Sequence, residues 1–190
     1  MKILTSFAAR ITFIALAVLV ISAFTIAHST VDNPADSKAM MIADWQWAKG
    51  YTLAYIESMP EAGINVKPTD SVRSFAEQML HLTSANVGFT AQVTGLPPTL
   101  ADVRGLEKNA TYKNKAALAA VVGQGYDYVI ASLEATPAAK FNEEITLFGQ
   151  YKMTGAEAMH KAFIHQNHHR GQCAVYIRLA GGVPAPMKLL

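Results

Sequence analysis

Residues 154–184 read TGAEAMHKAFIHQNHHRGQCAVYIRLAGGVP. Thr154 and Glu157 have the spacing of a capping box, in which each side chain satisfies a backbone N–H of the first helical turn. Gly181 and Gly182 followed by Pro184 form a stop signal. The spacing predicts one long helix between these limits, and four of the chain's six histidines fall in ten of its positions.

Three more helical segments precede it. The first is expected from about Ser37 to Met59, ended by Pro60, which cannot continue a helix interior. Ser74 and Glu77 make another capping box, and apolar residues then recur at helical spacing until Gly95 and the Pro97–Pro98 pair. A third helix is expected from about Lys113 to Glu134, although Gly123 and Gly125 inside it each cost roughly 1 kcal/mol relative to alanine. No stretch alternates long enough to build a sheet. The expected fold is therefore all-α, a four-helix bundle over residues 38–190, an architecture whose interior commonly houses cofactors and metals.

The N-terminus reads differently. Lys2 and Arg10 precede ITFIALAVLVISAFTIA, 17 residues without a charge, and Ala27-His28-Ser29 offers small residues at the positions a signal peptidase reads. Residues 1–29 are expected to be a secretory signal peptide or a retained membrane anchor, since roughly 17 to 25 apolar residues span a bilayer. Residues 30–37 would be a linker. Both readings place the domain outside the cytoplasm, periplasmic or secreted, with membrane association only if the segment is kept. Without Lys2 and Arg10 the chain carries 14 basic and 14 acidic residues. A neutral domain with no basic run offers little to a phosphate backbone, so nucleic acid is not an expected partner. The lone cysteine, Cys173, cannot form an internal disulfide.

The four clustered histidines are not equivalent. A helix turns about 100° per residue, so His165 and His169 lie about 40° apart on successive turns and can chelate one ion. Gln172, Tyr176, Ala158 and Ala162 extend the His165 stripe, which is the expected core face. His160 points about 140° away from it, and His168 lies about 60° off on a flank. An H-x-x-x-H pair alone is a weak signal. His81, the one histidine of the second helix, sits among Leu80, Leu82, Ala85 and Phe89 and is a candidate third ligand. Three nitrogens from two helices suit zinc, nickel or a similar divalent ion and leave positions open for water or substrate.

Two separated motifs carry a family resemblance. HQNHHRGQCAVYIRLAGGVPAP (165–186) resembles the C-terminal signature of DinB-like proteins, and RSFAEQMLHLTSAN (73–86) resembles the helix that carries that family's earlier histidine. The resemblance covers roughly residues 38–187. It implies an up-down-down-up four-helix bundle holding a divalent metal through His81, His165 and His169. Members with known activity include bacillithiol-dependent S-transferases and a mycothiol-dependent isomerase, and most members have no assigned reaction. Those thiols are cytoplasmic, whereas this chain is expected to be exported, so the resemblance implies the metal site more firmly than thiol transfer.

Other residues have plainer roles. Cys173 is expected to be a small packed hydrophobe. His168 and Gln172 could support the ligands from outside the coordination sphere or could merely pack, while Arg170 and Arg178 are expected to be packing and ion-pair residues with solvent access. Glu77 is explained by its capping box, and Trp45, Trp47, Tyr51 and Tyr55 by core packing. Functionally, the expectation is a metal-dependent hydrolase or transferase acting on a small molecule. The alternatives are a non-catalytic metal or small-ligand binding protein of the cell envelope, and a metal-free bundle kept for partner interaction. A homodimer remains open.

Overall fold

The computed structural model describes residues 33–187, so the expected signal or anchor at 1–29 lies outside the described residues. The chain divides into two units, Met1–Ser37 and Lys38–Leu190, and the second carries the core. Among the described residues four long helices form: α1 (Pro34–Ser58), α2 (Phe75–Thr94), α3 (Lys115–Ala135) and α4 (Gly155–Leu179). Helix α1 begins three residues before the expected Ser37. Pro34 is suited to a first helical turn, where its missing N–H has no partner anyway, and Asn33 Oδ1 accepts from the Ala35 N–H at 3.2 Å.

Both capping boxes form, Ser74 with Glu77 and Thr154 with Glu157, and Gly95 closes α2 in the left-handed conformation. Helix α2 packs against both α3 and α4. Gly125 permits one of these approaches, because a Cβ there would come within 2.4 Å of Thr83 Cγ2. Trp45, Ala48, Tyr51, Thr52, Tyr55 and Ile56 form the buried stripe of α1, so Trp45, Tyr51 and Tyr55 are core, as their helical spacing suggests, while Trp47 packs half-buried against it.

The expectation of a purely helical chain needs correction. Residues Glu144–Leu147 (β1) and Tyr151–Thr154 (β2) pair antiparallel, with Glu144 opposite Thr154 and Leu147 opposite Tyr151. The strands have four residues each, too short for alternation to show. Thr154 ends β2 and caps α4, so the hairpin fixes where the histidine helix begins.

Arg170 also departs from expectation. It is only 5% exposed and makes no ion pair among the described residues. Its guanidinium donates to Thr52 Oγ1 at 3.2 Å, to Gln166 Oε1 at 3.0 Å and to Asn167 Oδ1. Its central carbon lies 4.6 Å from the Tyr51 ring and 5.2 Å from the Trp47 ring. A planar, weakly hydrated cation can be held by aromatic faces and neutral acceptors. Tyr126 completes the network, bonded to Thr52 Oγ1 at 2.8 Å and donating to Gln166 Oε1 at 2.8 Å.

Candidate metal centre

The buried stripe of α4 runs through Ala162, Gln166, His169, Arg170, Cys173 and Ile177. It is centred about 80° round the helix from His165, rather than on His165 as the sequence reading placed it. That shift leaves His165 and Gln172 half-buried at the edge of the core, with His168 and His160 exposed. Cys173 occupies the middle of the stripe at 0% exposure, and burial pushes its thiol above the ordinary range.

His81 faces this edge from α2. One ring nitrogen from each of His81, His165 and His169 comes within 4.8 Å of the other two. His165 Nε2 and His169 Nε2 are 3.1 Å apart. Two imidazoles bound to one zinc at about 2.0–2.1 Å would hold their nitrogens roughly 2.9–3.4 Å apart, so this spacing suits a shared ion.

Hydrogen bonds decide which nitrogens face inward. Tyr176 O–H donates to the Arg73 carbonyl at 2.8 Å, so its oxygen accepts from Gln78 Nε2 at 3.3 Å. This orients the Gln78 amide, whose Oε1 then accepts from His169 Nδ1 at 2.7 Å. With its proton on Nδ1, His169 presents the Nε2 lone pair to the site. His81 is held in a similar way, its Nδ1 lying 3.1 Å from Glu107 Oε2, while Glu107 Oε1 accepts from Arg73 Nε at 2.7 Å. Outer partners of this kind fix ring orientation and raise ligand basicity. His165 lacks one: its Nδ1 is buried without a hydrogen-bond partner among the described residues.

Glu107 reaches His81 from the connection between α2 and α3. Leu106 is buried beside it, and Ser84 Oγ on α2 donates to the Val103 carbonyl at 2.7 Å. The Asp102–Gly105 turn closes through the Gly105 N–H, which donates to the Asp102 carbonyl at 2.9 Å and to Asp102 Oδ1 at 3.1 Å. A Cβ at 105 would lie 1.9 Å from Asp102 Oδ2, so any larger residue there would displace the Asp102 carboxylate.

Burial lowers the pKa of all three histidines. Arg73 adds to this at His81, where Glu107 opposes it. His81, His168 and Arg73 add to it at His165. Neighbouring imidazoles, His165 first, take His169 down to about 3. At neutral pH the trio is uncharged, the state in which imidazole binds metal.

The remaining sequence candidates lie nearby without touching the ligands through hydrogen bonds. His168 Nε2 and Gln172 Nε2 are 3.0 Å apart and pair with each other, although the His168 ring stands perpendicular to His169 with centroids 5.1 Å apart. The supporting contacts instead come from Glu107 and Gln78, which the sequence reading missed. Gln78 lies three residues before His81, a helical spacing that could have pointed to it. Glu77 caps α2 and binds Lys113 at 2.9 Å and Lys67 at 3.3 Å. Burial alone would raise its carboxyl, but the Ser74 N–H and these lysines bring it to about 2.

A cleft of about 1010 Å³ opens beside His169, walled by Arg73, Gln78, Glu107, Lys108, His168 and Gln172 among others. Its size suits a small molecule.

The family described as the DinB superfamily matches residues 44–173. A DinB-like protein from Bacillus subtilis is similar in structure, with 21% identity and a TM-score of 0.61 over 78% of this chain and 96% of that one. Another, from Bacillus cereus ATCC 10987, has 15% identity and a TM-score of 0.67 over 78% of this chain and 95% of that one. At these identities the likeness shows the fold alone. Among curated proteins, none matches the chain.

Proposed function

The chain belongs to the DinB superfamily, and on that premise we propose an exported metalloprotein in which His81, His165 and His169 hold a divalent ion such as zinc or nickel. Its activity would be hydrolysis or group transfer on a small molecule bound in the cleft. The observation that carries this reading is the convergence of the three imidazoles, with the His169 lone pair turned inward by the Tyr176–Gln78 relay. A divalent ion supplies Lewis acidity and lowers the pKa of a water or thiol for nucleophilic attack.

The protein's own residues would do the rest. Glu107 and Gln78 keep protons on the outward nitrogens of His81 and His169. His168 and Gln172 line the cleft, where they can contact a bound molecule. Export rests on the N-terminal sequence, and it favours substrates other than the cytoplasmic thiols of related enzymes.

One observation favours a second reading, a non-catalytic binding protein of the envelope. Both oxygens of Glu107, the carboxylate that touches the site, are engaged by Arg73 and His81, so it is not free to act as a base. Metal analysis tests the common premise: purified protein should carry one equivalent, and His81→Ala and His165→Ala should lose it. Wild-type protein without stoichiometric metal, or variants that retain it, would contradict the site. A screen of the metal-loaded form against hydrolase and transferase substrates then separates enzyme from binder.

A further inference from the structure

The tip of the β1–β2 hairpin carries a residue that local geometry disfavours. Gln150 N–H bonds to the Leu147 carbonyl at 3.2 Å, and the two residues inside this turn, Phe148 and Gly149, have φ of 53° and 73°. Such turns favour asparagine, aspartate or glycine at both central positions, and a bulky side chain at positive φ is strained. Phe148 is also 52% exposed, so core burial does not account for it.

The ring's position offers an explanation. Phe148 meets Phe89 edge to face with centroids 5.0 Å apart, and Phe89 lies 6.3 Å from the His165 ring. Phe89 is eight residues beyond His81 on α2, about 12 Å along the helix axis. Arg73, Glu77 and Gln78 lie on the other side of His81 and line the charged cleft. The histidines thus have a charged side toward the start of α2 and an aromatic side toward its end. Gln92 Oε1 accepts from the Phe148 N–H at 2.8 Å and ties the turn to that second side.

We infer that Phe89 and Phe148 form an apolar recognition surface of the metal centre, selecting ligands that carry an aromatic or bulky apolar group close to the atom presented to the histidines. This rests on the metal site proposed above. Strained backbone is found preferentially at ligand-contacting sites, and an offset or edge-to-face ring pair supports a preference of roughly three- to tenfold.

The test uses the full chain loaded with cobalt(II), titrated with acetohydroxamate and with benzohydroxamate while the visible cobalt bands are followed. Wild-type protein should favour benzohydroxamate, and Phe148→Asn and Phe89→Leu should each reduce that preference roughly three- to tenfold. Cobalt content and acetohydroxamate affinity should stay unchanged. Asparagine accepts positive φ, so Phe148→Asn should melt no lower than wild type, which a purely structural phenylalanine would not allow. Cobalt uptake with no benzohydroxamate preference, or with a preference that survives both substitutions, overturns the aromatic surface alone. Failure to take up cobalt overturns the metal site and this inference with it.

Discussion

Replacing Glu107 with glutamine should weaken metal binding about 10- to 100-fold, or roughly 1.4–2.7 kcal/mol, the range expected when a ligand's outer partner is lost. The carboxylate accepts two hydrogen bonds at once, from His81 Nδ1 at 3.1 Å and Arg73 Nε at 2.7 Å. An amide cannot reproduce both. If its oxygen faces Arg73, its NH₂ meets His81, which must then accept on Nδ1 and carry its proton on Nε2, where it blocks coordination. If the oxygen faces His81, the NH₂ opposes the guanidinium. Metal-free stability should change far less, because the Arg73 and Glu107 side chains are 39% and 31% exposed and such pairs contribute at most about 1 kcal/mol. Competition with a chromophoric chelator at neutral pH gives the affinity, and thermal melts of metal-free protein give the stability. Zinc affinity within twofold of wild type would refute the orienting role. A collapse in metal-free melting would show instead that Glu107 is chiefly structural.

Other outcomes follow from the same structure. His169 is held down to about 3, against about 6.5 for an unfolded histidine, and His81 and His165 are lowered as well. The unfolded chain therefore binds more protons below pH 6.5. Metal-free stability should be fully present above that pH and decline as pH falls toward 3, by up to about 1.4 kcal/mol per pH unit from His169; urea midpoints that stay flat from pH 7.5 to 4.5 would contradict this. Gly123→Ala meets nothing within 4 Å and should stabilise by about 0.5–1 kcal/mol, whereas Gly125→Ala strikes Thr83 and should destabilise by about 1–3 kcal/mol, both read from denaturant melts. Cys173 should resist a thiol reagent in folded protein and react fully in denaturant, and fast labelling of the native state would contradict its burial.

Helix limits were legible wherever local chemistry sets them. Ser74–Glu77, Thr154–Glu157 and Gly95 mark their ends because capping bonds span only three or four residues. The pairing of His165 with His169 follows from helical rotation alone. Glu107 was hidden because the path of the connection between α2 and α3 depends on tertiary anchors such as Leu106 and Ser84, which no periodicity records. Arg170 was misjudged because charge usually means solvent, and its acceptors Thr52 and Gln166 come from two helices. The α4 stripe was misplaced for a related reason. Taking His165 as its centre ignored that Gln166 and Arg170 could be buried if each found polar partners. The hairpin escaped because Phe148-Gly149 lacks the Asn-Gly signature of its turn.

X-ray absorption at the zinc edge of the reconstituted protein tests the metal centre most directly. Three imidazole nitrogens at about 2.0–2.1 Å are expected, with no sulfur at about 2.3 Å, because Cys173 is buried in the middle of the α4 core stripe. His81→Ala should lose its stoichiometric zinc, and any zinc it takes up at excess should show one imidazole fewer. A sulfur shell, or a zinc environment that His81→Ala leaves unchanged, would contradict the three-histidine site.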